Sequence, residues 1–90
     1  MINLPESLGN LSYLKILDLG ENNLVTMPDS IGNLKSLIRL YLYENQISSL
    51  PDSVLELDLI EDFDLTNNPI AEDNDNHIIK FLRERNKLIS

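Results

Sequence analysis

Cysteine is absent from the 90 residues, which excludes a disulfide framework, thiolate zinc or iron–sulfur ligation and a cysteine nucleophile. Histidine occurs once, leaving little material for imidazole acid–base or metal chemistry. Basic residues are scarce: seven Lys and Arg stand against fifteen Asp and Glu, a formal charge of -8. An acidic chain is repelled by phosphate backbones and anionic headgroups, so neither nucleic acid nor a membrane is expected as its main partner. Long apolar runs are missing too. The longest is Leu40 to Tyr43, far short of the ~18 residues of a membrane span. Residues 1–20 lack the basic segment that opens an export signal. A chain this short has room for one small domain, whose core buries only roughly 60–65% of the unfolded surface.

What is present is repetition. Leu4-Pro5, Met27-Pro28 and Leu50-Pro51 fall 23 residues apart, dividing the chain into copies at 4–26, 27–49 and 50–72. Each copy carries L-x-x-L-x-L-x-x-N-x-L. The first fills it with Leu14, Leu17, Leu19, Asn22 and Leu24, the second with Leu37, Leu40, Leu42, Asn45 and Ile47. The third uses Ile60, Phe63, Leu65, Asn68 and Ile70, so every position matches once Leu, Ile and Phe are equivalent. The L-x-L centre alternates with period two, as a half-buried strand requires. The segments that return between strands are long enough for crossovers, which makes the strands parallel. Their apolar pairs Leu8 and Leu11, Ile31 and Leu34, Val54 and Leu57 are spaced by three, suiting a 3₁₀ turn or short helix with both members turned inward.

With these residues in view, the chain resembles the leucine-rich repeat family. The flank LPxxIGNLxxL, seen at Leu4 to Leu14 and again at Met27 to Leu37, is similar to that of its 23-residue intracellular and bacterial subtype. Met27 replaces the usual Leu, and Leu55-Glu56 stand where Gly-Asn would in the third copy. The resemblance covers residues 1–72 and implies an α/β architecture: a right-handed solenoid with a short parallel β-sheet on its concave face and 3₁₀ or helical return segments. It is specific for fold and weak for function, because one scaffold serves many partners. It implies a cytoplasmic protein or a secreted bacterial effector.

The asparagine row at 22, 45 and 68 reads as structural: an amide where the chain turns inward can satisfy backbone groups of its own and the next coil. Residues 73–90 read as a C-terminal capping helix. Asp75 or Asn74 caps it, it runs to about Leu88, and Ile78, Phe81 or Leu82, and Leu88 or Ile89 form its apolar stripe, giving three strands in all. Residues 50–76 hold nine acids and no base, whereas 77–90 hold Lys80, Arg83, Arg85 and Lys87 against Glu84, so coil and helix should attract. Asp73-Asn74-Asp75-Asn76 and Glu84 have the outline of a calcium loop, but Ile78 takes the place of the required glycine, and a helix entry is the simpler reading. His77 reads as a surface residue of the first helical turn. Met1 takes the place of Leu24, Ile47 and Ile70, so the sequence starts within a repeat. It is expected to be the C-terminal part of a longer array or a truncated relative, with self-association through the N-terminal end as a further expectation.

Outward strand positions form the columns Ile16, Arg39, Asp62; Asp18, Tyr41, Asp64; and Gly20, Tyr43, Thr66, with Glu21, Glu44 and Asn67 in the adjoining turn. Tyr and Arg are the types enriched at interface hot spots. Asp18, Arg39, Tyr41, Tyr43, Glu44, Asp62 and Asp64 are therefore the candidate partner-binding residues. The bland alternative is a solvated sheet with Arg39 paired to Asp18 or Asp62. This face falls short of the ~20–30 residues of a standard interface, so binding by it alone is expected to be weak. Asp18 and Asp64 share a column, yet an open sheet offers no enclosure to raise one carboxyl. No enzyme activity, cofactor or metal is expected. The leading expectation is a protein–protein interaction module working through the concave face; the alternative is a purely structural terminal segment with no binding of its own.

Overall fold

The computed structural model describes residues 4–89, so the placement expected for Met1 lies outside the described residues. Three coils follow the 23-residue period. Each opens on a proline with extended ψ, at Pro5, Pro28 and Pro51, and enters a five-residue 3₁₀ turn: Glu6–Asn10, Asp29–Asn33 and Asp52–Glu56. Proline fits because its φ near -70° is already that of the entry and its missing N–H is not needed there. Each coil then crosses into a three-residue strand: β1 (Ile16–Asp18), β2 (Arg39–Tyr41) and β3 (Asp62–Asp64). The strands pair in parallel and in register, Leu17 with Leu40 and Leu40 with Phe63.

The C-terminal segment differs from its expected form. The helix α1 spans His77–Glu84 and is capped by Asn76, whose side chain accepts from the backbone N–H groups of Ile78 and Ile79 at 2.9 and 3.3 Å. It stops four residues short of Leu88. Asn86 then takes a left-handed φ of 56°, which reverses the chain, and Leu88–Ile89 form a fourth strand, β4, parallel to β3. The sheet thus has four strands in the order β1-β2-β3-β4. Leu88 pairs with Phe63 rather than extending a helical stripe.

Core burial is deepest in the second and third coils. Ile31, Leu34, Leu37, Leu40, Leu42, Ile47, Phe63 and Leu65 have no exposed surface, and Ile78, Ile79 and Leu82 of α1 close the stack against them. In the first coil Leu8, Leu14, Leu17 and Leu19 are only partly buried, and Leu11, expected to turn inward, is 50% exposed. Its counterparts Leu34 and Leu57 are covered by a coil on either side or by α1; β1 is an edge of the described sheet.

The expected attraction between basic helix and acidic coil is barely expressed in pairs. His77 Nε2 lies 2.5 Å from Asp52 Oδ1, both exposed. Arg83 instead donates to Asn74 Oδ1 and the Ala71 carbonyl, and no described carboxylate pairs with Lys80, Arg85 or Lys87. Apolar burial, not charge, holds the helix.

The departure at Leu55 also has a packing reason. A Cβ on Gly32 would lie 2.7 Å from the Ser53 carbonyl oxygen and 2.9 Å from Ser53 Cβ, because successive 3₁₀ turns stack backbone on backbone. At the matching place in the third coil Leu55 instead lines an open space together with Phe81 and Leu82, so a side chain is accommodated there. Gly32→Ala is therefore expected to cost roughly 1–3 kcal/mol through overpacking, read as a lower urea midpoint with unchanged slope.

Candidate functional site

The concave face is set by register. Ile16, Arg39 and Asp62 align across the three coils, as do Asp18, Tyr41 and Asp64, with Ile89 continuing the second row. Because alternate residues of a strand point to opposite sides, these rows project away from the buried Leu40 and Phe63.

The seven candidate residues fall into two groups. Arg39 Nε meets Asp62 Oδ2 at 3.4 Å, with both side chains about half exposed (49% and 43%). This is one of the two pairings expected of Arg39; exposed pairs of this kind are worth little, roughly 0–1 kcal/mol. Asp18 and Asp64 are occupied by their own turns. Asp18 Oδ1 accepts from the Gly20 N–H at 3.1 Å, and Asp64 Oδ1 accepts from the Thr66 N–H at 2.9 Å and from its hydroxyl. Each carboxylate thus closes the strand end in an Asx-type turn. Tyr41 and Glu44 make no side-chain hydrogen bond or ion pair among the described residues, the Tyr43 phenol lies beside Asp18, whose charge and hydrogen bonding both act on it, and both tyrosines are half-buried on the sheet.

Gly20 has a role that the sequence did not disclose. A Cβ there would fall within the ring of Tyr43, so the absence of a side chain in the first coil creates the seat on which Tyr43 lies. The signal was the change from Gly to Tyr down one column, legible only once the ring's direction is known. The Tyr43 phenol is held above its usual pKa of 10.0, first by the Asp18 carboxylate, then by desolvation of the ring and by Glu21 and Glu44. It is consequently a neutral O–H donor across the physiological range. Glu21 and Glu44 sit at the same place in successive coils with φ of 62° and 54°, where Asn67 of the third coil has 61°. Asn tolerates this left-handed region; glutamate does so at a cost of about 1–2 kcal/mol.

The asparagine row is structural, with one correction to its direction. Asn45 Oδ1 accepts from the N–H groups of Asn22 and Leu24 at 2.9 Å each, and its Nδ2 donates to the Leu19 and Leu42 carbonyls at 3.0 and 2.9 Å. Asn68 repeats this with the Ile47 N–H and the Leu42 and Leu65 carbonyls. Each amide therefore serves its own and the preceding coil, not the following one. Asn22 donates only to the Gly20 carbonyl among the described residues.

In the segment with a calcium-loop outline, three of the four side chains from Asp73 to Asn76 are engaged within the molecule. Asp73 accepts from the Asp75 N–H, Asn74 from Arg83, and Asn76 caps α1. Among the described residues no group of three or more His, Asp or Glu side chains could hold a metal ion, and no helix is long and apolar enough to cross a membrane.

A repeated L-x-x-L-x-L-x-x-N-x-L coil, a parallel sheet on one face, 3₁₀ turns on the other and an asparagine ladder between coils define a leucine-rich solenoid. The leucine rich repeat family model matches residues 12–70, and the chain belongs to that family. Among solved structures it is similar to a leucine-rich repeat protein of Leptospira interrogans, at 35% identity over 91% of this chain with a TM-score of 0.82. The chain spans 21% of the length of that protein. No curated protein matches the chain. Domains of this family commonly mediate protein–protein interaction and are typically non-enzymatic scaffolds.

Proposed function

We propose that this chain is a protein-recognition segment that binds a partner through its concave face, with Tyr41 and Tyr43 as the anchoring side chains. The observation that carries this reading is the division of the face. Arg39, Asp62, Asp18 and Asp64 are engaged within the molecule, while the two tyrosines lie half-buried on the sheet, Tyr41 without a side-chain hydrogen bond among the described residues and Tyr43 beside the Asp18 carboxylate. Tyrosine offers large amphipathic area with few torsions to freeze, which is why it is favoured at hot spots. The glutamates held at left-handed positions beside Tyr43 add support, since Asn there would be less strained. The carboxylate rim of Asp18, Glu21 and Glu44 favours a neutral or cationic contact surface.

Tyr41→Ala and Tyr43→Ala are each expected to weaken binding to any partner isolated with the wild-type chain by about tenfold or more, equivalent to hot-spot losses above ~1.4 kcal/mol. Titration calorimetry on that complex checks this, with Lys35→Ala on the 3₁₀ side as the silent control. Unchanged affinity in both tyrosine variants would leave the segment with the structural role alone.

A further inference from the structure

Between the third coil and α1 lies a cavity of about 90 Å³ that neither the repeat architecture nor the concave face explains. Its inner wall is apolar: Leu57, Ile60 and Leu82 are all at least nine-tenths buried. Its outer rim carries Asp58, Arg85 and Lys87. The volume equals roughly three waters of the liquid, about the size of one isobutyl group, and an apolar wall gives water few partners there.

The charge at this rim is opposite to that of the molecule. The chain as a whole carries -8, yet two of its seven cations stand here against one acid. Neither cation is paired with a described carboxylate within 4 Å. Both are held in place. Arg85 lies over the Phe81 ring with its guanidinium carbon 4.0 Å from the centroid, a cation–π contact that holds the charge beside the cavity. Lys87 follows the left-handed Asn86, and its backbone is tied on both sides: its N–H donates to the Leu82 carbonyl and its carbonyl accepts from the Phe63 N–H.

An apolar hole one side chain deep, edged by a planar cation, an ammonium and a carboxylate, matches one chemical arrangement well. We propose that the cavity receives the C-terminus of a partner polypeptide that ends in an aliphatic residue of leucine size. The side chain fills the space between Leu57, Ile60 and Leu82, the terminal carboxylate meets Arg85 and Lys87, and the terminal residue's N–H faces Asp58. A chain terminus is favoured over an internal acidic residue because it alone places carboxylate, N–H and side chain on a single Cα. This site lies on the helical side of the third coil and stands apart from the concave reading.

The test is a methyl NMR titration of the full 90-residue chain with N-acetyl-leucine, against N-acetyl-leucinamide and N-acetylglycine. N-acetyl-leucine should shift the methyl signals of Leu57, Ile60 and Leu82 saturably, with a Kd of about 1–10 mM for so small a ligand. The amide and the glycine derivative should bind at least about fivefold more weakly, since the charge-assisted contact or the filled cavity is then missing. Arg85→Gln and Lys87→Gln are exposed or half-exposed changes that leave the fold intact by their spectra; each should weaken N-acetyl-leucine severalfold, while Asp58→Asn should not abolish it. The proposal is overturned if N-acetyl-leucinamide binds as tightly as the acid, or if the shifts fall outside the cavity. It is equally overturned if no methyl moves by about 50 mM, well beyond the range set by ligand size. A C-terminally amidated peptide with an internal Leu-Glu step that binds as well as a peptide ending in leucine would also overturn it.

Discussion

Asn45→Ala is expected to lower unfolding stability by roughly 1–3 kcal/mol, although it removes no apolar surface from the core. The amide joins two coils: it accepts from Asn22 and Leu24 and donates to Leu19 and Leu42. The Leu24 N–H is buried, so water cannot replace its lost partner, and an orphaned group of that kind costs ~1–3 kcal/mol; the Leu42 carbonyl keeps the Asn68 amide at 2.7 Å. The half-buried Asn22 N–H and Leu19 carbonyl recover part of their loss by hydration. A domain of this size has only about 5–13 kcal/mol in total, so the variant would unfold early in a urea titration. Asn22→Ala supplies the internal comparison. Asn22 is exposed and donates only within its own turn, and a surface change of that kind shifts stability by about 0.5 kcal/mol or less. Equal midpoints for the two variants would show that the ladder carries no stability.

Phe63→Ala is expected to cost roughly 3–5 kcal/mol, the largest loss available from one core truncation. Phe63 is fully buried, the bulkiest of the buried side chains, and stands between Leu40 and Leu88 in the sheet. It also lies where β3 receives β4, through its N–H to the Lys87 carbonyl at 2.8 Å. A cavity there loosens the third coil and the C-terminal strand together. At about 4–8 °C per kcal/mol for a domain of this size, the melting midpoint should fall by tens of degrees. Tyr13→Ala, at a residue 91% exposed, should move it little.

These magnitudes follow from positions that the sequence already marks. The 23-residue period locates Leu40, Phe63 and their neighbours inward and Arg39, Tyr41 and Asp62 outward, because a period-two strand fixes facing once its register is known. Three strands, the 3₁₀ turns and the concave rows were legible for that reason. The fourth strand was not. Adding 23 to Phe63 lands on Asn86, whereas the chain after α1 pairs Leu88 with Phe63. The left-handed turn at Asn86 displaces the register by two residues, and repeat arithmetic cannot foresee that. Within Asp73-Asn74-Asp75-Asn76 any residue could cap a helix by type, and only the packing of Ile78, Ile79 and Leu82 selects Asn76. On the concave face the residue types were visible but their commitments were not. Whether Asp18 faces a partner or its own Gly20 N–H depends on side-chain direction, which one sequence does not encode in its spacing.

The ladder's direction has a consequence for the order in which the chain is made. The Asn22 and Leu24 N–H groups of the first coil wait for Asn45, and the Ile47 N–H of the second waits for Asn68. A coil leaving the ribosome is therefore incomplete until about one further period has been synthesised. Ending the chain after residue 49 would strand the second coil's turn without its partner. The third coil needs no successor asparagine: the Ile70 N–H, which corresponds to those of Leu24 and Ile47, donates back to the Ile47 carbonyl of the second coil at 2.9 Å. Each newly made coil thus supplies the acceptor that the coil before it lacks.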